Sequence, residues 1–231
     1  MLPSLVPCMH QVLVNNEFES EAKLLAITAF GDLSLAAGAI NFYSYLEQTK
    51  TAFFEAAQMS LNKGNNPEEI DLFERLRVAI IDAYISILHG LYPEENQTAI
   101  SQQTEKMIEE FAHQMFQYLE ELVAHKELNF PGELLKPMYE LYLDISTMYV
   151  NKVNNQDTTY GGGNFLPQAI IHSALTADLR QGLVALPPED RMAIESQFID
   201  NENTINLLKS RVAIPAPRQL PQMPSNSAWA M

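Results

Sequence analysis

Cysteine and basic side chains are both scarce in this 231-residue chain, and each shortage excludes a class of function. The single cysteine, Cys8, permits neither an intramolecular disulfide nor a Cys-based zinc cluster, and it suits a reducing compartment. Lys and Arg number 14 against 29 Asp and Glu, giving a net charge of −15. That sign repels phosphate backbones, so direct DNA or RNA binding is not expected, whereas basic proteins are attracted. No run approaches the roughly 18 apolar residues of a membrane span, so no membrane insertion is expected. The N-terminal stretch lacks a basic region, and Pro3 and Pro7 interrupt its apolar residues, unlike a signal peptide. The sequon Asn96-Gln97-Thr98 then has no consequence, since it matters only in a secreted protein. Alternating strand patterns are missing as well.

What is present is helical. Hydrophobic residues make up 47% of the chain, enough for a substantial core, and they recur at three- and four-residue steps. The spacing predicts eight helices, over 3–15, 20–38, 40–61, 67–90, 97–125, 131–152, 164–186 and 189–211. Gly38 reads as a helix end, because glycine tolerates the left-handed conformation found there. Asn62-Lys63-Gly64-Asn65-Asn66 is a turn cluster. Pro67 then opens a helix, with Glu68 and Glu69 complementing its positive end. Gly90 with Pro93 closes that helix, Pro131 begins the sixth, and Pro187-Pro188 divides the last two. The longest internal loop is expected over 154–164, around Gly161-Gly162-Gly163.

Eight helices in pairs suggest an all-α solenoid of about four HEAT-like hairpins occupying residues 1–211, wound as a right-handed superhelix. From Val212 the chain turns to Pro215, Pro217, Pro221 and Pro224 among Ser, Asn and Gln, and 212–231 reads as a flexible, disordered Pro-rich tail that leaves Trp229 without an anchoring role. Internal similarity supports the stacking. Phe30-Gly31-Asp32-Leu33-Ser34 resembles Tyr142-Leu143-Asp144-Ile145-Ser146, and Ile81-Asp82-Ala83-Tyr84 again sets an aspartate inside an apolar helix. A carboxylate in such surroundings needs a partner, so Asp32, Asp82 and Asp144 are expected to form inter-repeat hydrogen bonds. The second helices start near 20, 67, 131 and 189, wider than the roughly 40–47 residues of an average HEAT repeat.

The run Leu24-Leu25-Ala26-Ile27-Thr28-Ala29-Phe30-Gly31-Asp32-Leu33-Ser34-Leu35-Ala36-Ala37-Gly38 resembles the importin β family near its C-terminal end. Tyr45-Leu46-Glu47, Ala56-Ala57-Gln58, Leu76-Arg77 through Ala83-Tyr84, and His89-Gly90-Leu91 continue the resemblance in order. It is closest over residues 3–92 and extends by helix pattern to about 153, with the loop at 154–163 and the tail departing from it. The resemblance implies the last four HEAT repeats of a longer arc. It also implies a carrier that binds importin α or basic cargo on acidic inner helices and Phe-Gly nucleoporins in apolar grooves. Such a protein works in the cytoplasm and nucleus and at the nuclear envelope and pore. The family's Ran contacts lie mainly on earlier repeats.

Candidate binding residues follow from charge. Glu68, Glu69, Asp71 and Glu74 cluster at one second-helix start, and Glu133, Glu140 and Asp144 lie on the next. Carboxylates on neighbouring repeats speed the encounter with a basic segment, in a salt-sensitive way. Phe42, Tyr45, Phe53 and Phe54 could line a groove for a phenylalanine, although core packing accounts better for most of them. Catalysis has no support: Glu110-Phe111-Ala112-His113 has the Glu-x-x-His spacing of a di-iron bundle, but that motif occurs once where such a site needs two. His10, His89 and His172 have no neighbouring ligand set, and Gly161-Gly162-Gly163 lacks the phosphate-loop context. No enzyme activity, metal or cofactor is expected. The alternative to a transport module is a structural scaffold subunit of a larger complex.

Overall fold

In the computed structural model, residues 2–15, 19–92, 102–125, 128, 132–155, 170 and 175–211 are described. Among them every α- or 3-10 element is helical and none is a strand. The helices are α1 (Leu2–Val14), α2 (Ser20–Phe42), α3 (Leu46–Ser60), α4 (Pro67–Leu91), α5 (Gln102–Ala124), α6 (Gly132–Asn155), α7 (Leu175–Ala185) and α8 (Pro188–Arg211). A 3-10 turn, Tyr43–Tyr45, links α2 to α3.

Local chemistry sets the sharpest boundary. Asn66 takes extended backbone angles and its side chain accepts from the Glu69 N–H at 2.8 Å. Pro67 occupies the first turn of α4, where its missing donor costs nothing, and the Glu69 carboxylate reaches back to the Asn65 N–H at 2.7 Å. Gly38 acts as the break it reads as. With φ 66° and ψ 169° it leaves helical geometry and divides the α2 stretch into two helical runs, and the N–H of Tyr43 bonds to the Ala39 carbonyl in the second. The expected 40–61 helix follows that break and passes through the 3-10 turn before the regular run Leu46–Ser60. The first residues of the expected helices at 97 and 164, the triple glycine, the sequon and the 212–231 tail with Trp229 lie outside the described residues.

Each odd-numbered helix packs against its even-numbered successor, and each layer then packs on itself: α1 on α3, α3 on α5 and α5 on α7, with α2 on α4, α4 on α6 and α6 on α8. This is the helix-on-helix stacking of an α-solenoid. Cross-repeat bonds expose the register. Arg75 meets Glu21 across a separation of 54, and His89 meets Asp144 across 55. In the other layer Ser60 meets Tyr118 across 58 and Lys50 meets Glu110 across 60.

One aromatic core runs through the repeats. The ring of Phe53 on α3 lies edge-on to Phe30 of α2 at 5.7 Å and to Phe111 of α5 at 6.4 Å. Tyr84 of α4 continues to Phe111 at 5.6 Å, and Phe116 of α5 meets Tyr142 of α6 at 6.0 Å. Such pairs contribute beyond their buried area. Glycines let α2 and α4 approach closely. A Cβ on Gly31 would sit 3.1 Å from the Ala83 Cα, and one on Gly90 would sit 2.7 Å from the Ser34 carbonyl oxygen.

One sequence expectation is corrected here. The stretch Ser20–Ser60 is long and apolar enough, by length and composition, to cross a bilayer. In the fold Leu24, Ile27 and Phe30 from that stretch are buried in the shared core, and α2 lies against both α1 and α4.

Candidate binding groove

Two helical stripes face one another across the even-numbered layer. On α2 the positions Glu21, Leu24, Leu25, Thr28 and Asp32 recur at three- and four-residue steps, so they share a face. On α4 the positions Asp71, Glu74, Arg75, Val78, Asp82 and Ser86 do the same. Together with Glu133 and Leu134 at the start of α6 they border a groove of about 580 Å³. Parallel stacking in register thus converts carboxylates far apart in sequence into one surface.

The groove is strongly acidic. Glu21, Asp32, Asp71, Glu74, Asp82 and Glu133 line it against one base, Arg75. Leu24 and Leu134 are buried beneath it, while Leu25 is 71% exposed at its wall. Carboxylates above an apolar floor suit Lys or Arg, whose aliphatic stems cover apolar surface while their heads stay charged.

The electrostatics agree. The hydrogen bonds from Arg75 hold the Glu21 carboxyl below the usual range, and Glu21 in turn raises Arg75. Partial burial, with the charge of Glu140 as a second cause, raises Asp82. Desolvation and a like charge both act against a carboxylate's ionised form, and a neighbouring cation acts the other way.

The structure gathers some of the residues singled out by sequence and disperses others. Asp71, Glu74 and Glu133 line the groove, joined by Asp32 and Asp82. Glu68 borders an adjoining recess of about 480 Å³, formed with Ser20, Pro67 and Leu72. Glu69 is occupied in capping α4. Glu140 stands near Asp82. Asp144 is half-buried and lies 2.9 Å from His89 Nε2, a hydrogen bond between α4 and α6. Asp32 and Asp82 reach the solvent-accessible face of their helices, Asp82 partly desolvated there, rather than being enclosed by apolar side chains. Of the four aromatics considered for a phenylalanine groove, Phe42 and Phe53 are fully buried, Tyr45 is half-buried and Phe54 is 52% exposed. Glu110 bonds Lys50 at 3.2 Å, linking α5 to α3.

Sequence reasoning missed Glu21 and Arg75. Arg75 donates from Nη1 to Glu21 Oε1 at 2.7 Å and from Nη2 to Oε2 at 2.8 Å. Only the repeat register, a step of 54 residues here, could have paired them.

The chain resembles proteins of known family. Importin subunit beta-1 of Schizosaccharomyces pombe is 27% identical over 117 residues, 51% of this chain but 12% of that protein. The chain thus spans a small part of that relative's length. No solved structure matches it. A family model described as importin subunit beta-1-like, TPR repeats, matches residues 2–159, from α1 through α6. With that match covering most of its length, the chain belongs to the importin subunit beta-1-like family of helical-repeat proteins.

Proposed function

We propose that the chain is a protein-binding module of a nuclear transport receptor, and that its acidic groove takes a basic segment of importin α or of cargo. The observation that carries this reading is the set of six carboxylates around one base in an open groove along α2, α4 and the start of α6. Family membership supplies the biological context. A guest rich in Lys and Arg would gain charge-assisted hydrogen bonds along the groove and lay an aliphatic stem on the exposed Leu25. Long-range attraction to a surface of this sign speeds encounter and falls with ionic strength. Such a module works where transport receptors work, in the cytoplasm, the nucleus and the nuclear pore. Phe-Gly nucleoporin binding belongs to the same reading, with Phe54 as the strongly exposed ring of the four considered.

Fluorescence anisotropy with a labelled Lys/Arg-rich peptide from the N-terminal region of importin α tests the proposal. Affinity is expected to fall by about 10²–10³ between 50 and 300 mM NaCl, as several ion pairs are screened. Replacing Asp71, Glu74 and Glu133 together by Asn or Gln should weaken binding at least tenfold. A protein that ignores the peptide at 50 mM NaCl rejects the reading.

A further inference from the structure

Arg75 is an oddity in the groove: a guanidinium held where a basic guest would place its own. Its fork with Glu21 is bidentate, with bonds of 2.7 and 2.8 Å, the geometry by which any arginine engages a carboxylate. Asp71 lies a further 3.8 Å from the same Nη1. Glu21, Asp71 and Arg75 border both the groove and the adjoining recess, so the pair stands where the two cavities meet.

A purely structural staple between α2 and α4 explains the pair poorly. Both partners are solvent-accessible, with side chains 49% and 63% exposed, and exposed ion pairs contribute little to stability. The two helices are already joined by the close approaches at Gly31 and Gly90 and by their buried apolar faces. An accessible pair of this kind is easily exchanged.

We infer that Arg75 is an internal stand-in for a guest arginine, and that it sets the affinity and the arginine preference of the groove by competing for Glu21. This rests on the groove being the site of a basic segment. When the guest binds, its guanidinium takes the Glu21 fork and Arg75 swings towards Asp71 or solvent. The bonds exchanged are of one kind, so the swap itself costs little. The remaining cost is the repulsion between Arg75 and the incoming charge. Removing the charge of Arg75 should therefore strengthen guest binding, and removing Glu21 should weaken it, although both changes delete the same ion pair. A structural role would give the two variants the same sign.

The test measures binding of a dye-labelled peptide of alternating arginine and serine, and of its lysine counterpart, by anisotropy at 50 mM NaCl. The proteins are the unmodified full chain, R75Q, E21Q and K50Q. Lys50 is a control for net charge, because it is paired with Glu47 and Glu110 on the odd-numbered layer. R75Q is expected to bind the arginine peptide about three- to tenfold tighter, and E21Q to bind it weaker by a similar factor. K50Q should stay within about twofold of the unmodified protein, and the lysine peptide should respond less than the arginine peptide to loss of Glu21. R75Q and E21Q shifting affinity in the same direction, or K50Q matching R75Q, overturns the competition while leaving the groove as the binding site. Failure of the unmodified protein and every variant to bind either peptide overturns both readings.

Discussion

At the scale of single residues, the tightest constraint is the approach of α2 to α4 at two glycines. The neighbours differ in how far they can yield. A methyl on Gly90 would meet the Ser34 carbonyl oxygen at 2.7 Å and the Leu35 nitrogen at 3.1 Å, both backbone atoms inside a packed helix. Gly31 would meet Ala83 Cα and Ser86 Cβ at 3.1 Å, contacts that a shift of a few tenths of an ångström relieves. Alanine also gains about 1 kcal/mol of helix propensity over glycine, which offsets part of the crowding. Gly90→Ala should therefore lose about 3 kcal/mol of stability, and Gly31→Ala no more than about 1 kcal/mol, as read by urea denaturation. Equal losses would show that the helices can slide apart. Gly31 and Gly90 both stood in the stretches that carried the family resemblance, but nothing in the sequence said that one of them faces a carbonyl across the interface.

At the scale of elements, helix ends were legible where they are written in local chemistry and illegible where tertiary packing decides. Asn66-Pro67-Glu68-Glu69 announced α4 to the residue, since the cap and the proline act within one turn. Gly38 was legible too, since its positive φ breaks the helical run where the glycine stands. The end of α3 shows a device with no sequence signature. Arg77, buried on α4, donates from Nε to the Ser60 carbonyl at 2.9 Å and from Nη2 to the Asn62 carbonyl at 2.8 Å. Desolvation lowers its pKa from the usual arginine value, yet guanidinium groups in proteins keep their proton, so a full positive charge sits at the negative end of α3. Ser60 Oγ is also 2.7 Å from the Tyr118 hydroxyl, which ties the same corner to α5. Arg77→Met keeps much of the volume but leaves the two carbonyls without their guanidinium donor. It should destabilise the protein by about 2–3 kcal/mol, with faster amide exchange at the end of α3 than elsewhere. Uniform loss of protection would instead mean that Arg77 supports the whole stack.

At the scale of the whole molecule, the parallel layers decide what the sequence could and could not reveal about the site. Charge and helix pattern announced an acidic face, and Asp71, Glu74 and Glu133 were found from them. The aspartates Asp32 and Asp82, read as structural, turn out to line the same groove, because register places one repeat's carboxylate beside the next at a step that no local pattern encodes. That arrangement has a consequence for the free protein. A chain of net charge −15 with six carboxylates around one groove repels itself, and its exposed ion pairs return little of that energy. Salt screens the many like-charge repulsions as well as the few attractions, so the repulsive sum should dominate. Raising NaCl from about 20 to 500 mM, where the screening length shrinks from roughly 20 to 4 Å, should raise the midpoint of thermal unfolding by a few degrees in differential scanning fluorimetry. The same salt should weaken a basic guest. Opposite responses of stability and binding would identify unpaired groove charge as the common source, whereas a fall in both would mean that ion pairs such as Arg75–Glu21 and Lys50–Glu110 hold the stack together more than the carboxylates push it apart.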